Sequence, residues 1–540
     1  MKNCFLDEDD SWKLLRRTVF TSPEESCGFQ LEKIGKKIAK DCEGLPLAIV
    51  SIGKLLRRAE KTVEYWKKVS EDENPLGIVV NDNSHITRSL LLSYDMLSRG
   101  QKPCFLYVGV FPRSYLISVS ELIRLWAIEG FTDTSDRQLL DSLVYSSVVL
   151  VHERSSTIEN TKTCRVHYVF RNLCISIAEK EKFCHVLNKY TYSFPRGTNH
   201  QPRLCTHNNV MLGIEEVRAT MGSISSIRSL LCLGPYHPYP LRLHLCFTML
   251  KILNALSIRF YTFPYETLKL VRLKYLAITY DGELPNSISK LQKLQVLIVN
   301  RHCSGFDLPD PFTDRTFLQN LNTLSGVSGC SCTRGVLGRL PKLEKLGIHI
   351  VAGQNEKENF SFFGDIADMK PYLDSFKCTV SGFNTQVISE LPNFPFKCEK
   401  ITLSGCKFPW KYVEVFRCNL RILKLRRNAF CGPVWEPFHG EFRRLKYLLL
   451  EDLDMEVWGG ANSRHFPKLL SLIIKHCYKL REIPIDFGNI INLNTIEVED
   501  CRPSVAISAK KIQEIHQEKF PKKHLQVHIH FSWEDKRKRG

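Results

Sequence analysis

The stretch Leu469-Leu470-Ser471-Leu472-Ile473-Ile474 carries apolar residues at its first, fourth and sixth positions, and Cys477 and Leu480 follow it. In an extended strand the side chains of Leu472 and Ile474 are two residues apart and point to the same side. Cys477 comes three residues later, where a small residue lets the chain turn out of the strand. The stretch therefore predicts a short strand with one apolar face, followed at once by a turn.

The same apolar spacing recurs every 20 to 30 residues from about residue 225 onward. One unit cannot bury its apolar face alone, so neighbouring units must stack. The period and pattern are typical of leucine-rich repeats and predict a horseshoe-shaped solenoid; an ordinary α/β domain with accidental leucine clusters is the alternative. The first positions of the units fall at Ile227, Leu253, Leu273, Leu294, Leu321, Leu343, Leu373, Cys398, Leu420, Leu445, Leu469 and Leu493.

Residues 1 to about 190 are organised by helical spacing instead. Asp9-Asp10-Ser11 before Trp12 predicts a helix N-cap, and Pro46 suits a helix start. A hairpin is predicted around residues 148–167, among short helices, which together indicate a winged-helix domain. The short apolar helices are predicted near 90–97, 104–111, 118–128 and 165–177.

Composition excludes several classes of protein. Of 540 residues, 43% are hydrophobic and 24% are charged, which are globular values that exclude wholesale disorder and a multi-pass membrane protein. No apolar run approaches the ~20 residues of a transmembrane helix, so we expect a cytoplasmic protein. The net charge of +18 favours acidic partners without choosing among them.

Neither a catalytic nor a metal centre is predicted. No nucleophile motif, zinc-protease motif or dinucleotide fingerprint occurs, so we expect a protein that is not an enzyme. Cys330-Ser331-Cys332 lacks a second ligand pair at zinc-finger spacing. His524, His528 and His530 would share one face of a strand, but an exposed terminal strand explains them better than a metal site.

Several motifs in the first half resemble those of plant intracellular immune receptors of the nucleotide-binding (NB-ARC), leucine-rich-repeat class, coiled-coil type. Gly44-Leu45-Pro46-Leu47-Ala48 is similar to their G-L-P-L-A motif. Leu92–Leu97 and Cys104–Pro112 resemble L-S-Y-x-x-L and C-F-L-Y-x-x-x-F-P, and Val166-His167-Tyr168 stands at the position of Met-His-Asp. With the repeats that follow, the resemblance covers nearly the whole chain.

The resemblance implies that Pro46 lines an adenine pocket and that His167 reaches the phosphate of ADP. A helix-start proline and a capped surface histidine are the alternatives. The family's phosphate loop, G-x-x-x-x-G-K-[ST], is absent, so we expect a chain truncated at its N-terminus. Without the loop's amides and lysine, no bound cofactor is expected, although intact family members hold ADP or ATP.

The resemblance also implies a function in plant defence. The expected protein is an innate-immunity, disease-resistance receptor that binds a pathogen effector or a guarded host protein through its repeats and triggers a hypersensitive response. The repeats would also contact the nucleotide-binding module within the intact molecule, and the plasma-membrane surface and the nucleus are further locations. Exposed basic residues on the concave strand face would contact the partner, namely Arg421, Lys424 and Arg426.

Two other functions stay open. One is a nucleotide-binding ATPase switch that retains ADP. The other is a winged-helix DNA-binding regulator, although Glu121–Ile128 is too apolar for a reading helix. The predicted domains are the end of a nucleotide-binding domain with a helical domain at 1–85, a winged-helix domain at 86–195, a linker at 196–225, leucine-rich repeats at 226–515 and a basic tail at 516–540.

Overall fold

The fold was determined from a computed structural model of the whole chain. It describes residues 6–20, 28–58, 61–71, 94–95, 97–113, 115–132, 138–145, 148–154, 161–187, 201–224, 226–239, 247–301, 305–308, 318–351, 362–370, 373–382, 398–416, 419–437 and 442–532.

The chain divides into two compact units. The first comprises Met1–Arg154, Thr161–Met211 and Ser226–Pro235, and the second comprises Ser155–Asn160, Leu212–Ser225 and Tyr236–Gly540. Each unit is built around its own buried aliphatic and aromatic side chains.

The described part of the first unit is mainly helical in its N-terminal half, as predicted. Most of the predicted helix at 90–97 lies outside the described residues. Within the described ranges, no helix has both the length and the apolar character needed to span a membrane. The helices are α1 (Glu8–Val19), α2 (Phe29–Asp41), α3 (Pro46–Arg58), α4 (Val63–Glu71), α5 (Gln101–Val108), α6 (Val119–Glu129), α7 (Gln138–Tyr145) and α8 (Tyr168–Lys180).

Helix α1 begins earlier than its sequence pattern predicts. Asp7 is the N-cap, and its carboxylate accepts a hydrogen bond from the Asp10 backbone N–H at 2.7 Å. Asp9 and Asp10 therefore lie in the first turn, where negative charge stabilises the helix dipole, and the predicted cap at Asp9–Ser11 is wrong by one half-turn or more. Asp7 lies just before the helix, where its carboxylate can accept from the free backbone N–H groups of the first turn. A residue inside the helix is less well placed to do so.

A three-stranded antiparallel sheet follows in the first unit. Its strands are β1 (Ile117–Ser118), β2 (Val149–Arg154) and β3 (Thr161–Val166), in the order β1-β3-β2, and β2 and β3 form the predicted hairpin. Helix α6 turns Leu122, Leu125 and Trp126 into the core, where each is at most 1% exposed. A helix that buries this much of its surface packs against the protein rather than presenting side chains to a DNA groove.

The predicted linker at 196–225 is wrong, because its described residues are folded. In the first unit, β4 (His185–Leu187), β5 (Arg203–Thr206) and β6 (Ser229–Cys232) form parallel pairs. In the second unit, Glu215–Ser223 forms helix α9, which buries Val217 and Met221. The apolar residues of this stretch lack the unit spacing of the later repeats, so periodicity alone did not mark them as structured.

The second unit is a leucine-rich-repeat solenoid, which confirms the predicted repeat fold. Twelve of its described strands pair side by side and in parallel, in the order β7-β8-β9-β10-β11-β12-β13-β15-β18-β20-β21-β22. Their bounds, with those of four shorter strands, are β7 (Ile252–Phe260), β8 (Tyr275–Tyr280), β9 (Val296–Asn300), β10 (Thr323–Val327), β11 (Lys345–Val351), β12 (Ser375–Ser381), β13 (Lys400–Ser404), β14 (Phe408–Pro409), β15 (Ile422–Arg426), β16 (Phe430–Cys431), β17 (Val434–Trp435), β18 (Tyr447–Glu451), β19 (Val457–Trp458), β20 (Ser471–Lys475), β21 (Thr495–Glu499) and β22 (Gln526–His530).

Two predicted features of the repeats need correction. Leu253 pairs with Leu276, so the first position of that unit is Leu250, which is also fully buried. Both leucines fit the pattern because they stand three residues apart. The second correction is that β22 adds a parallel strand beyond residue 515, so the described part of the predicted tail is folded; residues 536–539 lie outside the described range.

The remaining elements of the second unit connect successive strands. The helices are α10 (Arg334–Gly338), α11 (Phe362–Met369) and α12 (Pro503–Lys519). Short 3₁₀ helices serve the same purpose at Tyr265–Lys269, Asn286–Lys290, Trp410–Phe416 and Ile485–Asn489. A further 3₁₀ helix, Asn209–Gly213, follows β5 in the chain.

Aromatic rings stack through the second unit behind the sheet. The ring centroids of Trp410 and Trp435 are 4.8 Å apart, and those of Trp435 and Trp458 are 4.9 Å apart, with the planes within 12° of parallel. Trp435 is fully buried. Three neighbouring units each place an indole at the same position, which continues the buried core from one unit to the next.

The turns that leave four consecutive strands use residues other than glycine in the left-handed region. Arg427, Asp452, His476 and Asp500 have φ between 47° and 54°, and each continues the hydrogen-bond ladder to the next strand. Asp and His tolerate this region better than most residues. The positive φ of His476 places the exit turn directly after the strand rather than at Cys477.

Candidate functional site

The turn between α2 and α3 carries the first predicted site. Glu43 and Gly44 have φ of 53° and 73°, and the Leu45 N–H donates to the Cys42 carbonyl at 3.1 Å. These left-handed residues reverse the chain and allow α3 to begin at Pro46, whose ring is exposed. Pro46 thus has the helix-start position that its residue type favours.

His167 lies between β3 and α8 and is brought to this turn. Its side chain is completely buried, so the alternative of a surface histidine is wrong. The imidazole hydrogen bonds with the Cys42 backbone, and its Nε2 is 3.8 Å from Glu43 Oε2. The guanidinium of Arg165 also donates to the Glu43 carboxylate. The structure therefore joins the segments of the two motifs through Glu43.

The charges around this site keep His167 neutral. Burial, together with repulsion from Arg165 and Arg113, lowers the pKa of His167 to about 4. Arg113 donates to the Asp41 carbonyl at 3.1 Å and lies 3.4 Å from the Asp41 carboxylate. At neutral pH, the site consists of an uncharged imidazole beside a carboxylate that already binds an arginine.

These residues do not fit a nucleotide phosphate. A phosphate needs several N–H donors or cations directed at one open position, whereas His167 is shielded from solvent and faces a carboxylate. Glu43 would repel an anion at the same place. The roles implied for Pro46 and His167 stay predictions, and the side chain of Tyr168, which replaces the family's aspartate, lies outside the described residues.

The second predicted site lies on one face of the repeat sheet. Along each strand, alternate residues point into the core, as Leu423 and Leu425 do on β15 with no exposed surface. The residues between them point to the other side of the sheet, which we call the open face. On β15 the open face carries Ile422, Lys424 and Arg426.

Two of the three predicted partner-binding residues lie on the open face. The Lys424 ammonium is 5.2 Å from the ring centroid of Tyr447, and Arg426 Nε is 3.0 Å from Glu451 Oε2. Arg421 precedes β15, at a position that alternates with those of Lys424 and Arg426. Its Nη1 is 3.6 Å from Glu399 Oε2. Arg421 is therefore not grouped with the other two, because it belongs to the turn that enters the strand.

The histidines near the C-terminus do not come together as a metal site. His528 and His530 lie exposed on one face of β22, and His524 precedes the strand. Elsewhere among the described residues, ligand atoms of His476, Glu499 and Asp500 lie within 4.8 Å of one another. The ammonium of Lys475 is 2.5 Å from Glu499, so a cation already neutralises that carboxylate.

Sequence reasoning missed the charged residues that connect the two motifs of the first site. Glu43 and Arg165 are 122 residues apart in the chain, and each stands beside a motif without belonging to it. Their position directly next to G-L-P and to His167 was the available signal. It is weak, because flanking charges are also common on solvated turns.

Comparison with known proteins finds plant resistance proteins among the relatives. No family model matches the chain. A putative late blight resistance protein homologue of Solanum demissum is 29% identical over 98% of this chain and 43% of its own length. A second such homologue is 30% identical over 95% of this chain and 42% of its own length, and a late blight resistance protein of the same plant is 29% identical over 98% and 44%. The chain spans less than half the length of these curated relatives.

Solved structures that resemble the chain are repeat proteins of low sequence identity. A leucine-rich-repeat protein of Leptospira interrogans is 16% identical, with a TM-score of 0.35 over 63% of this chain and 80% of its own. The repeat ectodomain of a plant membrane receptor kinase of Arabidopsis thaliana is 17% identical, with a TM-score of 0.28 over 58% and 42%.

The motif order, the repeat solenoid and the relatives thus agree. Over nearly all of its own length, and over less than half of theirs, this chain is a homologue of late blight resistance proteins of Solanum demissum.

Proposed function

We propose that the chain acts in a plant disease-resistance receptor that recognises a pathogen effector or a guarded host protein through its repeats. The observation that carries this proposal is the 29% identity with resistance proteins over 98% of the chain. The solenoid supports it, because stacked parallel strands present a broad, rigid face suited to a protein partner.

The part of the first unit from α5 to α8 fits the predicted winged-helix domain, residues 86–195, of such a receptor. Its hairpin β2–β3, the strand β1 and the helices α5 to α8 follow the order that a winged helix requires. Because α7, the helix before the hairpin, carries no Lys or Arg and α6 is buried, we infer that this domain packs within the receptor and does not read DNA. The protein would act as a binding protein rather than as an enzyme, in the cytoplasm or nucleus or at the surface of the plasma membrane.

Deletion of the gene in the source plant tests this function. The expected result is loss of the hypersensitive response to at least one isolate in a panel of pathogens that the parent plant resists. Reintroducing the gene should restore the response. A version in which Leu472→Asp and Ile474→Asp disrupt the repeat core should not restore it, because both side chains are fully buried. Unchanged resistance to every isolate after deletion would refute the function.

A further inference from the structure

The open face of four neighbouring strands carries two in-register rows of basic and hydroxyl side chains, with one glycine, Gly347. We call these eight residues the basic face. Their register follows from the strand pairs β11–β12, β12–β13 and β13–β15. The first row is Gly347, Lys377, Thr402 and Lys424, and the second row is His349, Thr379, Ser404 and Arg426.

The basic face contains no carboxylate at any of its eight positions. The first acidic residue on the neighbouring strand is Glu451, which is aligned with Arg426 and paired with it. Farther along, Lys475 binds Glu497 and Glu499 at 2.7 and 2.5 Å. Charge on the open face is thus divided: the cations of β12 and β15 have one carboxylate, Glu451, beside them, whereas the carboxylates of β21 surround the single cation of β20, Lys475.

Among the lysine and arginine side chains of the basic face, Lys377 has the fewest neighbouring groups that balance its positive charge. It is exposed and makes no ion pair with any described residue. Packing against the sheet removes part of the water around its ammonium, and this together with repulsion from Arg426 lowers the pKa of Lys377. Burial and repulsion from Lys377 lower the pKa of His349. These groups lie in a positive potential that an anion would relieve.

The spacing of the basic face suits an extended peptide. Adjacent strands are about 4.8 Å apart, so Lys377 and Lys424, two strands apart, have Cα atoms about 10 Å from each other. Their long side chains can converge on one carboxylate or bind two. Thr402 lies between the two lysines and Thr379 lies beside Lys377 on β12; both are small, so a peptide backbone can approach between the lysines, and their hydroxyls can donate hydrogen bonds.

We propose that the basic face binds a carboxylate-rich segment of the protein partner. This inference rests on the proposed function and specifies the chemistry of the ligand. A single-stranded nucleic acid fits less well, because such ligands are held by aromatic rings that stack on bases. The described open-face positions of β10 to β15 carry no Phe, Tyr or Trp, and Tyr447 on β18 lies beneath Lys424.

Binding of a labelled synthetic peptide to the purified full chain tests the proposal. The probe is a short peptide of alternating glutamate and serine, and its control has glutamine in place of glutamate. Fluorescence anisotropy should show binding of the glutamate peptide only, with an affinity that falls as salt rises. Equal binding of the glutamine peptide would refute the proposal.

Paired charge changes locate the binding site. The variant Lys377→Glu/Lys424→Glu should bind the glutamate peptide at least about tenfold more weakly. The control Lys510→Glu/Lys511→Glu changes two exposed lysines of α12 by the same charge and should keep the affinity within about twofold. Equal losses in the two variants would show that the net charge of +18 attracts the peptide, and would overturn the proposal.

Two further measurements keep the outcome decisive. Lys377→Gln/Lys424→Gln removes the charges without adding carboxylates and should also weaken binding, so a loss seen only with the glutamate variant would count against the site. An oligothymidylate of equal charge that displaces the peptide from the basic face, and binds there more tightly, would also overturn the proposal. In the deletion plant, full restoration of resistance by Lys377→Gln/Lys424→Gln would refute this inference while leaving the proposed function intact.

Discussion

Arg203 on β5 donates to the carboxylate of Glu129 at the end of α6, with Nη2 2.9 Å from Oε2 and both side chains buried. The guanidinium packs between Phe131 and Phe183, at 4.9 and 4.1 Å from their ring centroids. The other carboxylate oxygen of Glu129 accepts from the Ser229 hydroxyl on β6. This network fixes the end of α6 to the first parallel strands of its unit.

Arg203→Ala should therefore strongly destabilise the first unit. Removing one member of a buried ion pair leaves an uncompensated charge and costs about 3–5 kcal/mol. Urea unfolding followed by circular dichroism measures the change. Lys36→Ala, which breaks the exposed pair with Glu32, is the control and should shift the midpoint little. Equal shifts in the two variants would show that the Arg203 network contributes no special stability.

The first unit should lose stability when the pH falls from 7 to 5. Burial lowers the pKa of His167, His185 and His207 to about 4. Below pH 6.5, the unfolded chain binds protons at these residues while the folded chain does not, so acid favours unfolding. Each histidine contributes at most about 2 kcal/mol at pH 5. Urea titrations at both pH values test this, and equal unfolding free energies would contradict it.

Trp435→Ala should disrupt the second unit. The change removes a fully buried indole that stacks on two others, at a cost of about 3–5 kcal/mol. Trp435→Phe keeps an aromatic ring and should cost less. The neighbouring Val434 is exposed, so Val434→Ala is the matched control. Thermal unfolding followed by tryptophan fluorescence compares the three variants, and similar midpoints for Trp435→Ala and Val434→Ala would refute a stabilising stack.

The purified chain should retain far less than one ADP per molecule. The carboxylate of Glu43 faces His167 at 3.8 Å, and the sequence has no phosphate loop to supply the missing donors. Chromatographic analysis of the denatured protein measures bound nucleotide. Stoichiometric ADP would contradict this prediction and would favour the alternative of a nucleotide switch.

The repeat fold could be predicted because each unit contains its own signal. Leu469, Leu472 and Ile474 lie in the core at the positions that their spacing gives, and β20 begins two residues after Leu469. The pattern failed where two leucines three residues apart both satisfied it, as at Leu250 and Leu253. Local spacing cannot decide between them, since only pairing with β8 fixes the register.

The candidate sites could be predicted only in part. Alternation along a strand placed Lys424 and Arg426 on one face, and it would have excluded Arg421 had the strand start been known. The contact of Glu43 with Arg165 depends on packing between elements far apart in sequence, which no local pattern encodes. The basic face likewise became visible only once the register aligned Lys377 with Lys424.

The non-glycine exit turns have a consequence for how such a chain can diversify. Arg427, Asp452, His476 and Asp500 hold equivalent left-handed positions on successive strands, at intervals of about 4.8 Å. None of these residues supplies an apolar side chain to the core, so single substitutions among residues that tolerate this conformation leave the solenoid intact. Successive units can thus change the side chains at this edge of the sheet by single substitutions, while the buried leucines remain unchanged.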